Sequence, residues 1–587
     1  MKEYFFIIGA VLLLNISCTK SKTPQQKEKQ EDWQTPFEKS NGLASFTYEE
    51  GIAYFKKLGT VYDEFRVFTY GDTDAGKPIH LGIYSSQGAF IPSDLKKKNV
   101  LLINNAIHPG EPDGVDASMM LLRDILQKKS NVIPKNTIIA VIPFYNVGGA
   151  LNRNSGTRAN QEGPVSYGFR GNAQNLDLNR DFVKMDSKNM KTLAEIMHVW
   201  QPDLFIDTHV SNGADYQYTL TYLASHEEKL GGVVGDFVKN KMNPYLEEKM
   251  LENSFPIAPY VNVWGTTPDK GYVQFFDSPR YSSGYTALFN TPSYVIETHM
   301  LKPFKQRTEA TYLFLENVIA FLGEHGAELK QHRKAQFIDD RHKDEFPIAW
   351  EVDKSKSDTI FFKGYEGRMI KSEVSGLPRL FYDRTAPYEK AIPFYSSLKV
   401  TKYEPKPLSF IIPRGWKTIV DHLKLNGVEV TQLKADEKFT VDVKYIEAYK
   451  TVQSPYEGHY LHHSVKTKTK KEELQFFKGD YLISADQKRI RFLMEVLTPE
   501  AIDSYFAWNF FDPILQQKEH FSAYVFEDKA AKMLKEDASL RAALDKEIKK
   551  NPSLKNDAYA QLNFIYERSD NKEKSYLRYP VFKFMPN

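Results

Sequence analysis

The chain has 587 residues, with 78 Lys and Arg against 75 Asp and Glu, a formal charge of +3. That balance excludes the clustered basic excess of a nucleic-acid-binding protein. With 41% hydrophobic and 26% charged residues, it also excludes a disordered chain or a multi-span membrane protein. The single cysteine, Cys18, excludes an intrachain disulfide and a cysteine-rich metal site.

In chain order, Lys2 precedes an apolar run over residues 4–16, broken only by Gly9 and Asn15. A membrane span needs about 20 residues, so this shorter run suits a signal peptide over 1–17. It ends Asn15-Ile16-Ser17-Cys18, which resembles a bacterial lipoprotein signal, although Asn15 stands where Leu is usual. That resemblance implies lipidation of Cys18, a membrane anchor and a place in the cell envelope, on the periplasmic or outer-membrane side. The polar, Pro-, Gln- and Lys-rich stretch that follows predicts a flexible tether over 18–44.

Residues 45–328 alternate between strand-like and helix-like patterns. Runs 65–70 and 79–84 are β-like around the turn GDTDAGKP, whose Pro78 replaces the Ser or Thr of a phosphate loop. Runs 99–105 and 137–144 are continuously apolar, as in strands buried on both faces. Between them, 114–128 has helical spacing (Val115, Met119, Leu122, Ile125, Leu126). A helix is predicted over 186–200 and short buried strands over 203–207 and 293–297. The alternation predicts an α/β domain with a mixed, largely parallel central sheet and helices on both faces. The charged stretch 330–345 reads as a linker. Residues 346–587 read as a β-rich and then helical accessory region, divisible near 490.

Four motifs in the α/β region carry candidate chemistry. His108-Pro109-Gly110-Glu111 follows the buried run NVLLINN, and strand ends are where α/β sheets display functional groups. Asp207-Thr208-His209 ends the apolar run LFID. Two His and one Glu are the ligand set of a catalytic zinc, which keeps a fourth position for water. Glu297 ends a third apolar run, where a carboxylate near a metal can serve as a base. The run GFRGNAQNLDLNRD over 168–181 places Arg170 and Arg180 among polar residues, as an anion site requires. His459, His462 and His463 lack a carboxylate or Cys at ligand spacing and read as surface or interdomain histidines. No Gly-x-Ser-x-Gly nucleophile elbow occurs, so a serine hydrolase is unsupported.

Taken in this order, the motifs resemble the zinc carboxypeptidase (metallocarboxypeptidase) family over residues 45–325. The resemblance implies one zinc per chain held by His108, Glu111 and His209, with Asp177 orienting His108. It implies that Glu297 is the catalytic base and that Arg170, nine residues before Asn179, stabilises the oxyanion. Asn179 and Arg180 would grip the terminal carboxylate of a peptide substrate. The family's capping tyrosine would be Tyr285, with Tyr281 as the alternative. The implied activity is removal of C-terminal residues from peptides. Two rivals stay open. One is an amidase or endopeptidase acting through the same site on cell-wall peptides or N-acyl amino acids. The other is a catalytically silent peptide-binding lipoprotein.

Overall fold

The structure, a computed structural model, describes residues 32–586 apart from 133 and 135; the predicted signal peptide and Cys18 lie outside the described residues. Eight strands build the central sheet: β1 (Phe65–Tyr70), β2 (Ile79–Tyr84), β3 (Asn99–Asn104), β4 (Thr137–Ile142), β5 (Leu204–Ser211), β6 (Leu220–Ala224), β7 (Ile257–Pro259) and β8 (Ser293–His299). Their spatial order is β1-β2-β4-β3-β5-β8-β6-β7. The middle four, β4, β3, β5 and β8, run parallel to one another. β1, β2 and β6 add antiparallel pairings at either side. The predicted strands after 203 and 293 are longer than their apolar runs, because polar Thr208, His209, Thr298 and His299 continue the ladders.

Strand periodicity explains why helices cover both faces. Alternate residues of β3 and β4 point opposite ways. Leu102, Ile138 and Ala140 share a buried cluster with Met190, Leu193, Ile196 and Trp200 of helix α3 (Lys188–Trp200). Their neighbours Ile103, Ile139 and Val141 meet Leu121, Leu122 and Ile125 of helix α2 (Asp113–Leu126) and Ile319 of helix α4 (Phe304–His342). Helix α1 (Tyr48–Val61) starts at a capping box made by Thr47 and Glu50.

Two sequence expectations are corrected. Residues 35–44 are not all tether: Thr35 and Glu38 form a capping box around helix Pro36–Lys39, and Phe37 is buried against Phe304. The signal was present in Thr-Pro-Phe-Glu, a cap followed by proline at the first helical position. Residues 330–342 are not a linker either, because they continue α4 without a break. Their charges are consumed internally: Arg333 pairs with Asp203 and donates to the Asn290 carbonyl, while Asp340 accepts from Asn290.

Beyond α4, strands Asp358–Lys371 and Pro378–Tyr395 form one long hairpin, and Glu437–Thr451 and His462–Phe476 form another. The second belongs to a six-stranded sheet that includes Ser409–Ile412. Helices Ala523–Glu536, Ala538–Lys550 and Ala558–Tyr566 follow. Phe410, Leu423, Ile483 and Phe492 of this region join the buried cluster on the α3 face of the central sheet.

Candidate metal centre

Three parallel strands deliver the site. After β3 the chain turns through Ala106, at φ 55°, and a tight turn closed by Glu111 N–H donating to the His108 carbonyl (2.8 Å). A Cβ at Gly110 would stand 2.7 Å from Arg158 Nε, so a side chain there would have to displace Arg158. His209 and Glu297 occupy one register of the parallel pair β5–β8. Their side chains therefore leave the same face of the sheet.

His108, Glu111 and His209 converge, all buried, with one ligand atom of each within 4.8 Å of the others. Glu111 Oε1 lies 3.2 Å from His108 Nδ1, and Glu111 Oε2 lies 3.2 Å from His209 Nδ1. The two Nδ1 atoms are themselves 3.2 Å apart. Each neutral imidazole carries one ring proton, so two nitrogens aimed at each other and at a carboxylate suit a shared cation better than shared protons. The opposite ring nitrogens each face a carboxylate. His108 Nε2 meets Asp177 Oδ1 at 2.9 Å, and His209 Nε2 lies 3.0 Å from Asp207 Oδ2. Carboxylates behind metal-binding imidazoles fix ring orientation and raise ligand basicity. The donor set fits a metal ion.

Electrostatics agree. Burial alone would raise the Glu111 carboxyl, yet Arg158, His108 and His209 outweigh it and hold it well below the usual range. For His209, burial is outweighed by Asp207 and Glu111, and its pKa stands well above the ordinary value. Carboxylates that draw a proton onto a buried imidazole mark a site short of positive charge. Glu297 differs from these. Burial first, then Glu111 and Asp207, push it up to about 7 against the pull of His209 and Arg170. That places it in the range of a general base working near neutral pH.

Asp177 organises the other wall. Its Oδ2 accepts from Arg170 at 2.8 and 3.1 Å, and its Oδ1 accepts from the Asn179 amide at 2.9 Å. Burial opposes its ionisation, but His108, Arg170 and Arg180 hold it well below the usual range. Arg170 lies 3.6 Å from Glu111 Oε1 and its side chain remains 45% exposed. Arg180 donates to the Asn179 carbonyl at 2.8 Å and lies over the Tyr281 ring at 4.5 Å. Asn179 Oδ1 accepts from the Ser282 amide at 3.3 Å.

Tyr285 does not belong to this wall. It is 1% exposed, sits between Phe182 and Phe289, and donates its hydroxyl to Asn426. Helix Ser282–Ala287 is buried at every position, so its tyrosine serves the core, and Tyr281 is the one beside Arg180. Arg158 joins the site as well, its guanidinium donating to Glu111 Oε1 at 2.5 Å. Forty-seven residues separate that pair, and no local pattern announces it. Asp207 was detectable in principle, because residues two apart on a strand share a face. The histidine group after 458 divides as expected of structural residues. His459 meets Asp186 at 2.8 Å and His462 meets Asp512 at 3.1 Å.

Comparison with known proteins follows the same line. No protein-family model matches the chain. Carboxypeptidase 2 of Trichophyton rubrum is 19% identical over 455 residues, covering 74% of this chain and 78% of the relative. Carboxypeptidase 2 of Trichophyton tonsurans is 19% identical over 490 residues, covering 79% and 84%. The chain resembles the metallocarboxypeptidases. Similar solved structures include a metallo-carboxypeptidase from Burkholderia cenocepacia, at 14% identity and TM-score 0.36 over 47% of this chain and 69% of the other. A metallo-carboxypeptidase from Pseudomonas aeruginosa aligns at 13% identity and TM-score 0.37, covering 48% and 70%.

Proposed function

We propose that this chain is a zinc-dependent metallocarboxypeptidase that removes C-terminal residues from peptides. The observation that carries the reading is the convergence of His108, Glu111 and His209, with Glu297 in register beside His209. Zinc suits the spacing. Tetrahedral bonds of 2.0–2.1 Å separate ligand atoms by about 3.3–3.4 Å, close to the 3.2 Å contacts among the three side chains.

When bound, zinc supplies Lewis acidity toward the scissile carbonyl and acidifies water. Glu297 takes the proton of the attacking water and returns it to the leaving amine. Arg170, exposed and anchored by Asp177, offers its guanidinium to the negative charge that develops on the carbonyl oxygen. Asp177 accepts from the His108 imidazole and Asp207 lies against that of His209, which orients the two rings before substrate binds. Arg180 forks onto the substrate's free carboxylate, with Asn179 adding a neutral hydrogen bond and Tyr281 backing the guanidinium.

The test is metal analysis of the purified protein together with digestion of a mixed peptide library read by mass spectrometry. The reading expects zinc and products shortened by single residues from the C-terminus. Cleavage confined to internal bonds would replace it with an endopeptidase on the same site. The leader reading adds a lipid anchor on Cys18, and loss of fatty-acid labelling in Cys18→Ser tests it separately.

A further inference from the structure

The region after residue 346 supplies none of the residues named above for the reaction, yet it reaches the site. The hairpin of strands Glu437–Thr451 and His462–Phe476 carries a tight turn near its tip. Tyr456 N–H donates to the His459 carbonyl (2.7 Å), and His459 N–H donates back to the Tyr456 carbonyl (3.0 Å). The two central residues, Glu457 and Gly458, have φ of 50° and 81°. Two consecutive positive φ values define a type I′ turn, whose first central position favours Asn, Asp or Gly. A glutamate there is a poor local choice, and strained positions persist where the surroundings make use of them.

The use is visible. Glu457 Oε2 accepts the backbone N–H of Asp177 at 2.8 Å. Asp177 aims His108 through Oδ1, holds Arg170 through Oδ2, and caps the short turn Leu178–Arg180 that carries Asn179 and Arg180. The turn is braced on both sides, by His459 on Asp186 (2.8 Å) and by Arg280 over the Tyr456 ring (5.5 Å).

We propose that Glu457 is a positioning residue of the active site: its carboxylate fixes the Asp177 peptide, and through it the aim of His108, Arg170 and Arg180. The C-terminal region thereby completes the site from outside the α/β domain. This rests on the metal-centre reading above, so the test carries a readout that does not depend on turnover.

The full chain is compared with Glu457→Gln, Glu457→Ala and Glu457→Asn. The readouts are zinc affinity by chelator competition, kcat/KM on a free-acid peptide, and hydrogen exchange of the Asp177 amide in metal-free protein. Removing a group that orients a metal ligand typically lowers metal affinity or activity about 10- to 100-fold. As the contact acts one residue further out, about 10-fold is expected for Ala and Asn, with faster exchange at Asp177. Gln keeps the acceptor oxygen and should stay within about twofold of wild type. Asn fits the turn better but is one methylene too short to reach Asp177, so its thermal midpoint should hold or rise while zinc affinity falls. A purely structural role for the hairpin predicts the reverse. Unchanged zinc affinity and unchanged Asp177 exchange in Ala and Asn would overturn the proposal. Wild-type protein that holds no zinc would refute the metal reading instead, and the exchange rates would still decide whether Glu457 clamps Asp177.

Discussion

Replacing Glu297 with Gln separates the proposed base from the proposed ligands. The side chain keeps its length and hydrogen-bonding oxygen but can no longer take a proton from water. The ligand cluster comprises His108, Glu111 and His209, while Glu297 sits beside His209 without belonging to it. Metal content should therefore remain at wild-type stoichiometry. Among its neighbours, Glu111 and Asp207 already repel the Glu297 charge. Burial is the largest influence and disfavours the charge, so neutralising it should not unfold the protein, although the attraction of His209 and Arg170 is forfeited. Loss of a general base costs about 10²–10⁴ in rate, or about 2.7–5.4 kcal/mol of barrier. The assay is kcat on a free-acid peptide alongside metal analysis of the same preparation. Metal lost with the substitution would make Glu297 a ligand. Full metal with less than a tenfold loss of kcat would place the base elsewhere.

Three further outcomes follow from other parts of the molecule. His209→Ala should lose stoichiometric zinc, since two protein ligands make an incomplete site; elemental analysis of the purified variant checks this. Arg307→Met breaks a buried two-point pair with Asp113 (3.0 and 3.2 Å) that ties the start of α4 to the start of α2. It should cost about 3–5 kcal/mol by denaturant unfolding. Adding Asp113→Asn should restore part of that loss, because the stranded carboxylate is neutralised. Asp116 is buried beside the Ser45 hydroxyl, and burial pushes its carboxyl from 3.8 up to about 8. A folded-state pKa raised in this way stabilises the protein fully below about pH 4, and that stability is lost as pH rises through about 8. Asp116→Asn should flatten this dependence, and thermal midpoints from pH 5 to 9 would show it.

The site was legible where its chemistry lies in short contiguous motifs at the ends of apolar runs. His209 and Glu297 stand on strands, and His108 and Glu111 in the turn just after one; the hydrophobic patterns mark all three strands, and the parallel sheet gathers their ends. What the sequence concealed depends on distance or burial. Arg158 and Glu457 reach the site from 47 and 280 residues away from their partners Glu111 and Asp177. Tyr285 had a plausible position along the chain, but every residue of its helix is buried, and burial of a whole helix is a tertiary fact. Charge misled at 330–342, where Arg333 and Asp340 look like linker residues and are instead buried and paired. The predicted tether overran into ordered chain, because one capping box and one phenylalanine suffice to dock residues 35–39 on α4.

In the proposed carboxypeptidase, Arg180 reads the free C-terminal carboxylate of the substrate. The most direct test is a cycle of wild type and Arg180→Ala against paired peptides, one with a free C-terminus and one amidated. Truncating one partner of a desolvated charge pair costs about 2–5 kcal/mol, or roughly 30-fold to several thousand-fold in kcat/KM. Arg180→Ala should lose that much on the free acid and far less on the amide, which wild type should already cleave poorly. If wild type cuts both peptides equally well, Arg180 does not read the terminus, and the enzyme is not a carboxypeptidase.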